Sequence, residues 1–146
     1  MKSAARWMLV AVITLASSAS SAAATDRVSS GDARAIRAVI EAQLKAMAAD
    51  DAVRAFSYAS PSIRMQFRDA PTFMKMVRHL YPMLVRATAT VFFRPDPVEQ
   101  GAMQQVHLRD PDGRSWRATY HLQRQPDKNW LINGCVVGPD QSDSLI

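Results

Sequence analysis

Two side chains of this sequence are candidates for acid–base chemistry, His121 and Asp69. His121 follows Tyr120 on the polar side of an alternating segment, and an imidazole that titrates near ~6.5 suits proton transfer. The alternative is that His121 is a non-catalytic residue on the solvent-exposed face of a strand. Asp69 would serve as an acid or base if apolar surroundings raised its pKa. This catalytic interpretation requires a buried, unpaired polar group, and it fails if every His, Asp and Glu is exposed or structurally paired.

Three tyrosines are candidates for orienting a bound molecule, Tyr58, Tyr81 and Tyr120. Tyr58 and Tyr81 fall where predicted helices meet loops, and Tyr120 lies in a predicted strand. Each hydroxyl would fix a ligand if it pointed into a cavity, whereas a core tyrosine with a satisfied hydroxyl is the ordinary case. Cys135 is the single cysteine, so the chain forms no internal disulfide, and we expect it to be buried as a small hydrophobe.

The sequence predicts no metal site and no cofactor. His107 and His121 occupy adjacent predicted strands, but no third ligand stands at a suitable spacing. The chain contains no GxSxG, HExxH or glycine-rich phosphate loop, and its five glycines leave little room for one. The arginines are scattered without a run that would follow a phosphate backbone, which argues against nucleic-acid binding.

The N-terminus has the three-part layout of a secretory signal. Lys2 and Arg6 precede an apolar run over residues 7–16, and small residues follow up to Ala24. The apolar run is about half of the ~20 residues that a membrane-spanning helix needs, so we expect cleavage after Ala24 and export to the periplasm or the medium. Removing residues 1–24 lowers the formal charge from +5 to +3, because Lys2 and Arg6 are lost with no acid.

The first half of the mature chain has helical patterning. Ser29 or Ser30 would cap a helix with one apolar stripe, formed by Ile36, Val39, Ile40, Leu44 and Met47. The predicted caps of three further helices are Asp50 or Asp51, Ser60 and Asp69. The second helix would carry Val53 and Phe56, and Ile63 and Phe67 would be the buried side of the third. Pro82 would end the helical half.

The second half has strand patterning. Residues 87–93, 103–109, 116–123 and 130–136 are predicted as four strands, with turns at residues 94–97, 110–113 and 125–128. In the last strand Trp130, Ile132, Gly134 and Val136 alternate with Leu131, Asn133 and Cys135. Apolar residues on both sides predict that this strand is central in the sheet.

Helices followed by antiparallel strands predict an α+β fold, with the helices packed on one face of a curved sheet of about four strands. We expect a signal peptide over residues 1–24, a flexible segment over 25–31, one domain over 32–138 and a polar tail over 139–146.

The segments IRAVIEAQLKAMAADD, AFSYASPSI and KNWLINGC resemble a family of exported bacterial proteins known as a domain of unknown function. That family is similar in turn to the nuclear transport factor 2-like superfamily, which includes ketosteroid isomerases and polyketide cyclases. The resemblance covers about residues 32–138. It implies a cone-shaped fold with a cavity between sheet and helices, and often a homodimer formed through the exposed face of the sheet.

The resemblance carries no catalytic residues, because the family has no agreed activity and no segment here aligns with the motifs of the superfamily's enzymes. We therefore expect a non-catalytic module that binds a small apolar ligand or a protein partner. The alternative is a small cofactor-independent isomerase, dehydratase or hydrolase that uses His121 or an acid such as Asp69.

Overall fold

The helical patterning of the first half forms five α-helices in the computed structural model, which describes residues 27–144. Their bounds are α1 Ser30–Ala48, α2 Ala52–Ser57, α3 Pro61–Phe67, α4 Ala70–Leu80 and α5 Pro82–Val85. The predicted signal peptide lies outside the described residues. Among those residues, no helix is long and apolar enough to cross a membrane.

The predicted caps begin the first four helices. Ser29, Asp51, Ser60 and Asp69 each accept a hydrogen bond from a backbone N–H of the first turn, which satisfies one of the donors that a helix start leaves unpaired. The prediction that Pro82 ends the helical half was wrong. The α4 helix stops at Leu80, but Pro82 then occupies the first turn of α5, where proline is tolerated because no N–H is needed.

The second half forms one antiparallel sheet. Its strands are β1 Ala89–Phe92, β2 Asp96–Val98, β3 Gly101–Arg109, β4 Ser115–Arg124 and β5 Trp130–Pro139. The spatial order is β1–β3–β4–β5, and β2 also pairs with β3. The β2 strand lies partly in the segment predicted as a turn. It is three residues long, its residues are exposed, and it contains Pro97, which is tolerated at the edge of a sheet.

The prediction that the last strand is central was wrong, because β5 is at the edge of the sheet. Part of this edge is covered by the connection between α2 and α3. The Ser60 N–H donates to the Ile132 carbonyl at 2.8 Å, and the Ile132 N–H donates to the Tyr58 carbonyl at 2.9 Å. These hydrogen bonds pair the backbone groups of Ile132, which an edge strand would otherwise leave unpaired.

The alternation predicted for β5 was also wrong. Leu122 pairs with Ile132 but His121 pairs with Gly134, so the strand carries one extra residue, Asn133. Such a bulge changes which side chains face the core. As a result Cys135 pairs with Tyr120, while Val136 is 67% exposed on the outer face.

The core lies between α1, α4 and the inner face of the sheet. The predicted stripe of α1 is buried except for the half-buried Val39. On the sheet, Val106, Ala118 and Leu122 are buried beneath it. In α2, Val53 is 75% exposed and Ala55 is the buried residue, while Ile63 and Phe67, the predicted buried side of α3, are half-buried. The fold is therefore α+β, with one helical layer on an antiparallel sheet.

Candidate functional site

A cavity of about 430 Å³ lies between the helical layer and the β4–β5 side of the sheet. Pockets of about 300–1,000 Å³ are typical of small-molecule sites. Its walls come from four of the helices, from the turns that join them and from two strands. The lining residues are Gln43, Met47, Ala59, Ile63, Gln66, Phe67, Phe73, Met76, Val77, Leu80, Tyr81, Leu84, Tyr120, Ile132, Gly134 and Cys135. Among residues 27–144, no Asp, Glu, Lys, Arg or His lines this cavity.

Tyr120 is the polar group that distinguishes the cavity. Its side chain is 1% exposed, and the hydroxyl has no hydrogen-bond partner among the described residues. Burial raises the pKa of this hydroxyl well above its usual value, and the neighbouring Cys135 thiol raises it further. Tyr120 therefore remains a neutral hydroxyl at physiological pH, able to donate one hydrogen bond. A buried hydroxyl without a hydrogen-bond partner costs about 1–3 kcal/mol of stability.

Cys135 lies across the β4–β5 pair from Tyr120 and lines the same cavity. Burial raises the pKa of its thiol to about 12, while the Tyr120 hydroxyl lowers it slightly. The two groups are neighbours, but their contact does not have the geometry of a hydrogen bond. The thiol is thus held in its protonated, weakly nucleophilic form. The expectation of a buried cysteine is met only in part, because the residue as a whole is half-buried.

Gln43 is a second polar group in the wall, contributed by α1. Its side chain is buried, and its amide nitrogen donates to the Ala55 carbonyl at 3.2 Å. Its side-chain oxygen makes no hydrogen bond with the described residues and so remains an acceptor. Sequence analysis did not select Gln43. The sequence signal that Gln43 is a buried polar residue was its position inside the apolar stripe of α1, between Ile40 and Leu44.

The predicted tyrosines divide between two sites. Tyr81, at the junction of α4 and α5, lines the cavity with Tyr120. Tyr58 does not. It lies at a separate groove, together with Val39 of α1 and Trp130 of β5.

The two acid–base candidates lie outside the cavity lining. His121 is exposed and pairs with Met103 and Gly134 in the sheet. Asp69 is exposed at the start of α4, where it accepts from the Thr72 N–H at 2.8 Å. This hydrogen bond lowers the pKa of Asp69, so the expected burial and raised pKa were wrong. Its short side chain instead satisfies a helix terminus.

A charged cluster that was not predicted lies on the outer face of the sheet. Asp140 Oδ2 is 2.7 Å from Nδ1 of His107 and 2.9 Å from the Arg117 guanidinium. Arg117 also donates to Gln105 at 3.0 Å. The hydrogen bond with His107 is the main reason that the pKa of Asp140 is well below its usual value. This cluster anchors the segment after β5 to the sheet, inside the region predicted as a polar tail.

Within residues 27–142, every His, Asp and Glu side chain is exposed or paired. The buried Asp110, for example, accepts from Trp116 and Arg114 at 3.0 Å. His107 and His121 are four positions apart in the sheet register, about 13 Å along the strands at ~3.3 Å per residue. No group of three metal-ligating side chains occurs in the described part of the chain.

These features define a small α+β protein with one largely apolar cavity and an unpaired tyrosine hydroxyl in its wall. A model of the family described as a domain of unknown function, DUF4864, matches residues 29–145. The chain belongs to this family. No curated protein and no solved structure matches it.

Proposed function

We propose that the protein is an exported, non-catalytic binding module whose cavity holds a small, mainly apolar molecule. The observation that carries the proposal is the Tyr120 hydroxyl, which is buried in an apolar wall without a partner. Folded proteins pair nearly all buried polar groups, and an exception calls for an explanation such as a missing ligand.

The chemistry of the wall favours binding over catalysis. Tyr120 and Cys135 are the titratable groups of the inner wall whose pKa values are shifted, and both shifts favour the neutral form. A general acid or base works best with a pKa near the operating pH, and both groups are moved away from it. His121 and Asp69, on which the alternative enzymatic function rests, do not reach the cavity.

Binding is tested with the apolar fluorescent dye N-phenylnaphthylamine. We expect saturable binding with one dye per chain. Ala59→Leu should reduce it, since Ala59 is 1% exposed and lines the cavity. Ala38→Leu is the matched control, because Ala38 is an exposed residue of α1. Dye binding that neither variant changes would contradict the proposal.

Cys135 provides a second readout that does not depend on a substitution in the core. It is the single cysteine of the chain and lines the cavity. Bound dye should therefore slow its alkylation by iodoacetamide. If saturating dye leaves the alkylation rate unchanged, the dye binds elsewhere.

The shape of the fold supports a relationship to a known superfamily, and the N-terminal segment supports export. A helical layer over a sheet, with a cavity between them, is consistent with the cone of the nuclear transport factor 2-like superfamily. We propose export to the periplasm or the medium on the basis of residues 1–24. An intact mass that begins at Thr25 in protein secreted by a bacterial host would support this, and a mass that includes Met1 would oppose it.

A homodimer through the outer face of the sheet is the proposed assembly. The support is three exposed apolar side chains on that side: Val91 at 57%, Phe93 at 43% and Val136 at 67% exposure. Val136→Asp should convert the dimer to a monomer in light scattering, because it would bury a charge without a partner. A monomeric wild-type protein would refute this assembly and leave the cavity unaffected.

A further inference from the structure

The polarity of the cavity wall restricts the class of molecule that fits it. Apart from Tyr120 and Cys135, the polar residues of the lining are Gln43, Gln66 and Tyr81, and none is charged. A charged group buried there would lose its hydration without gaining an opposite charge, which is strongly unfavourable. A neutral molecule avoids this cost.

The Tyr120 hydroxyl specifies one polar feature of that molecule. The residue is 1% exposed and lines the cavity, and the hydroxyl has no partner in the described part of the protein. The hydroxyl oxygen has almost no solvent-accessible surface, so a small outward shift of the wall is needed for a ligand oxygen to reach it, accept a hydrogen bond and remove the cost of the unpaired donor. The adjacent Cys135 thiol is a weak donor and acceptor, so it cannot replace such an oxygen.

The volume of the cavity limits the size of the ligand. At about 30 Å³ for each water-sized unit, a cavity of 430 Å³ holds about fourteen non-hydrogen atoms. Because most of the wall is aliphatic or aromatic, most of these atoms must be carbon.

We infer that the ligand is a neutral, mainly hydrocarbon molecule of about fourteen non-hydrogen atoms with one polar group, whose carbonyl or hydroxyl oxygen accepts a hydrogen bond from Tyr120. This inference rests on the proposed binding function and names the ligand class. It specifies that the oxygen end of the molecule enters first. A fatty-acid carboxylate, in contrast, would have to leave its charged end in water.

The test compares methyl decanoate with decanoate, which share an acyl chain and differ in charge. Each is titrated against the protein loaded with N-phenylnaphthylamine, and displacement of the dye is followed by fluorescence. The wild-type protein should bind the ester at least about tenfold more tightly than the carboxylate. Tyr120→Phe should weaken ester binding about fivefold and leave carboxylate binding unchanged, because only the ester oxygen reaches residue 120.

Tyr58→Phe is the matched control, because Tyr58 is a half-buried tyrosine that lies at the separate groove and does not line this cavity. We expect it to change ester binding less than twofold. If Tyr120→Phe does not fold, alkylation of Cys135 in the wild-type protein compares the affinities of the ester and the carboxylate. The ester should protect the Cys135 thiol from alkylation at a lower concentration than the carboxylate.

The outcomes separate this inference from the proposed function. Failure of the dye to bind refutes the binding function itself. Bound dye that the two molecules displace equally well, or ester binding that Tyr120→Phe leaves intact, overturns only the ligand class.

Discussion

Replacement of Tyr120 by Phe should raise the free energy of unfolding of the protein without ligand and lower its affinity for the ligand. In most proteins Tyr→Phe at a buried site removes a hydrogen bond and costs stability. Here the hydroxyl is buried without a partner, so its removal relieves a desolvation cost of about 1–3 kcal/mol. Taking the lower end, the free energy of unfolding should rise by about 1 kcal/mol, which corresponds to about 4 °C in Tm for a domain of this size.

Urea denaturation followed by tryptophan fluorescence measures this change, with an unchanged m-value as a check that compactness is the same. Tyr58→Phe should lie within about 0.5 kcal/mol of the wild type, because Tyr58 is only half-buried and its hydroxyl makes no hydrogen bond with the described residues. The reasoning would be refuted if Tyr120→Phe lowered the free energy of unfolding by about 1 kcal/mol, since that loss is typical of a hydroxyl with a partner. Opposite effects on stability and affinity are characteristic of a residue kept for function.

Three further predictions concern other parts of the molecule. Asp140→Asn should lower the free energy of unfolding by about 2 kcal/mol by urea denaturation at pH 7. The folded-state pKa of Asp140 is lowered, so the difference in free energy of unfolding between wild type and variant should be constant above about pH 5 and shrink as the pH falls below ~3.9. A difference in this free energy that grows in acid would contradict the prediction. Gly101→Ala should destabilise the protein by about 2 kcal/mol or more, because its Cβ would overlap the Leu122 carbonyl. The control Gly138→Ala should be tolerated, because its Cβ meets no atom within 4 Å. Equal melting temperatures of the two variants would contradict this prediction. Cys135 should react with iodoacetamide at pH 8 at least about tenfold more slowly in the folded protein than in urea, because burial raises its pKa to about 12 and leaves less thiolate, and equal rates would show an accessible thiol.

Much of the helical layer can be predicted from local signals. Ser29, Ser60 and Asp69 are short polar residues directly before helical periodicity, and each caps a helix. The turn at residues 110–113 is also encoded locally, and Gly113 has the positive φ that such a turn needs. Val53 shows the limit of this reasoning, because a short helix does not establish which of its sides meets the core.

The errors in the sheet arose from non-local pairing. Nothing in a single strand reveals that the α2–α3 connection covers the edge of β5. The Asn133–Gly134 dipeptide is a signal for a bulge, but its effect on Cys135 depends on the register with β4. A strict period of two therefore assigned Cys135 and Val136 to the wrong faces.

The candidate site could be predicted only in part, for the same reason. Tyr81 and Tyr120 were selected from their positions and do line one cavity. Tyr58 was selected by the same argument and lies elsewhere, because the direction of a loop side chain is set by packing. The unpaired state of the Tyr120 hydroxyl is a property of the whole fold and has no local signature.

The most direct test of the central claim is a crystal structure of the protein with methyl decanoate. We predict that the ester lies in the cavity between α4 and β5, with its carbonyl oxygen within hydrogen-bond distance of the Tyr120 hydroxyl. An ester bound outside the cavity, or one whose hydrocarbon end lies against Tyr120, would contradict the account.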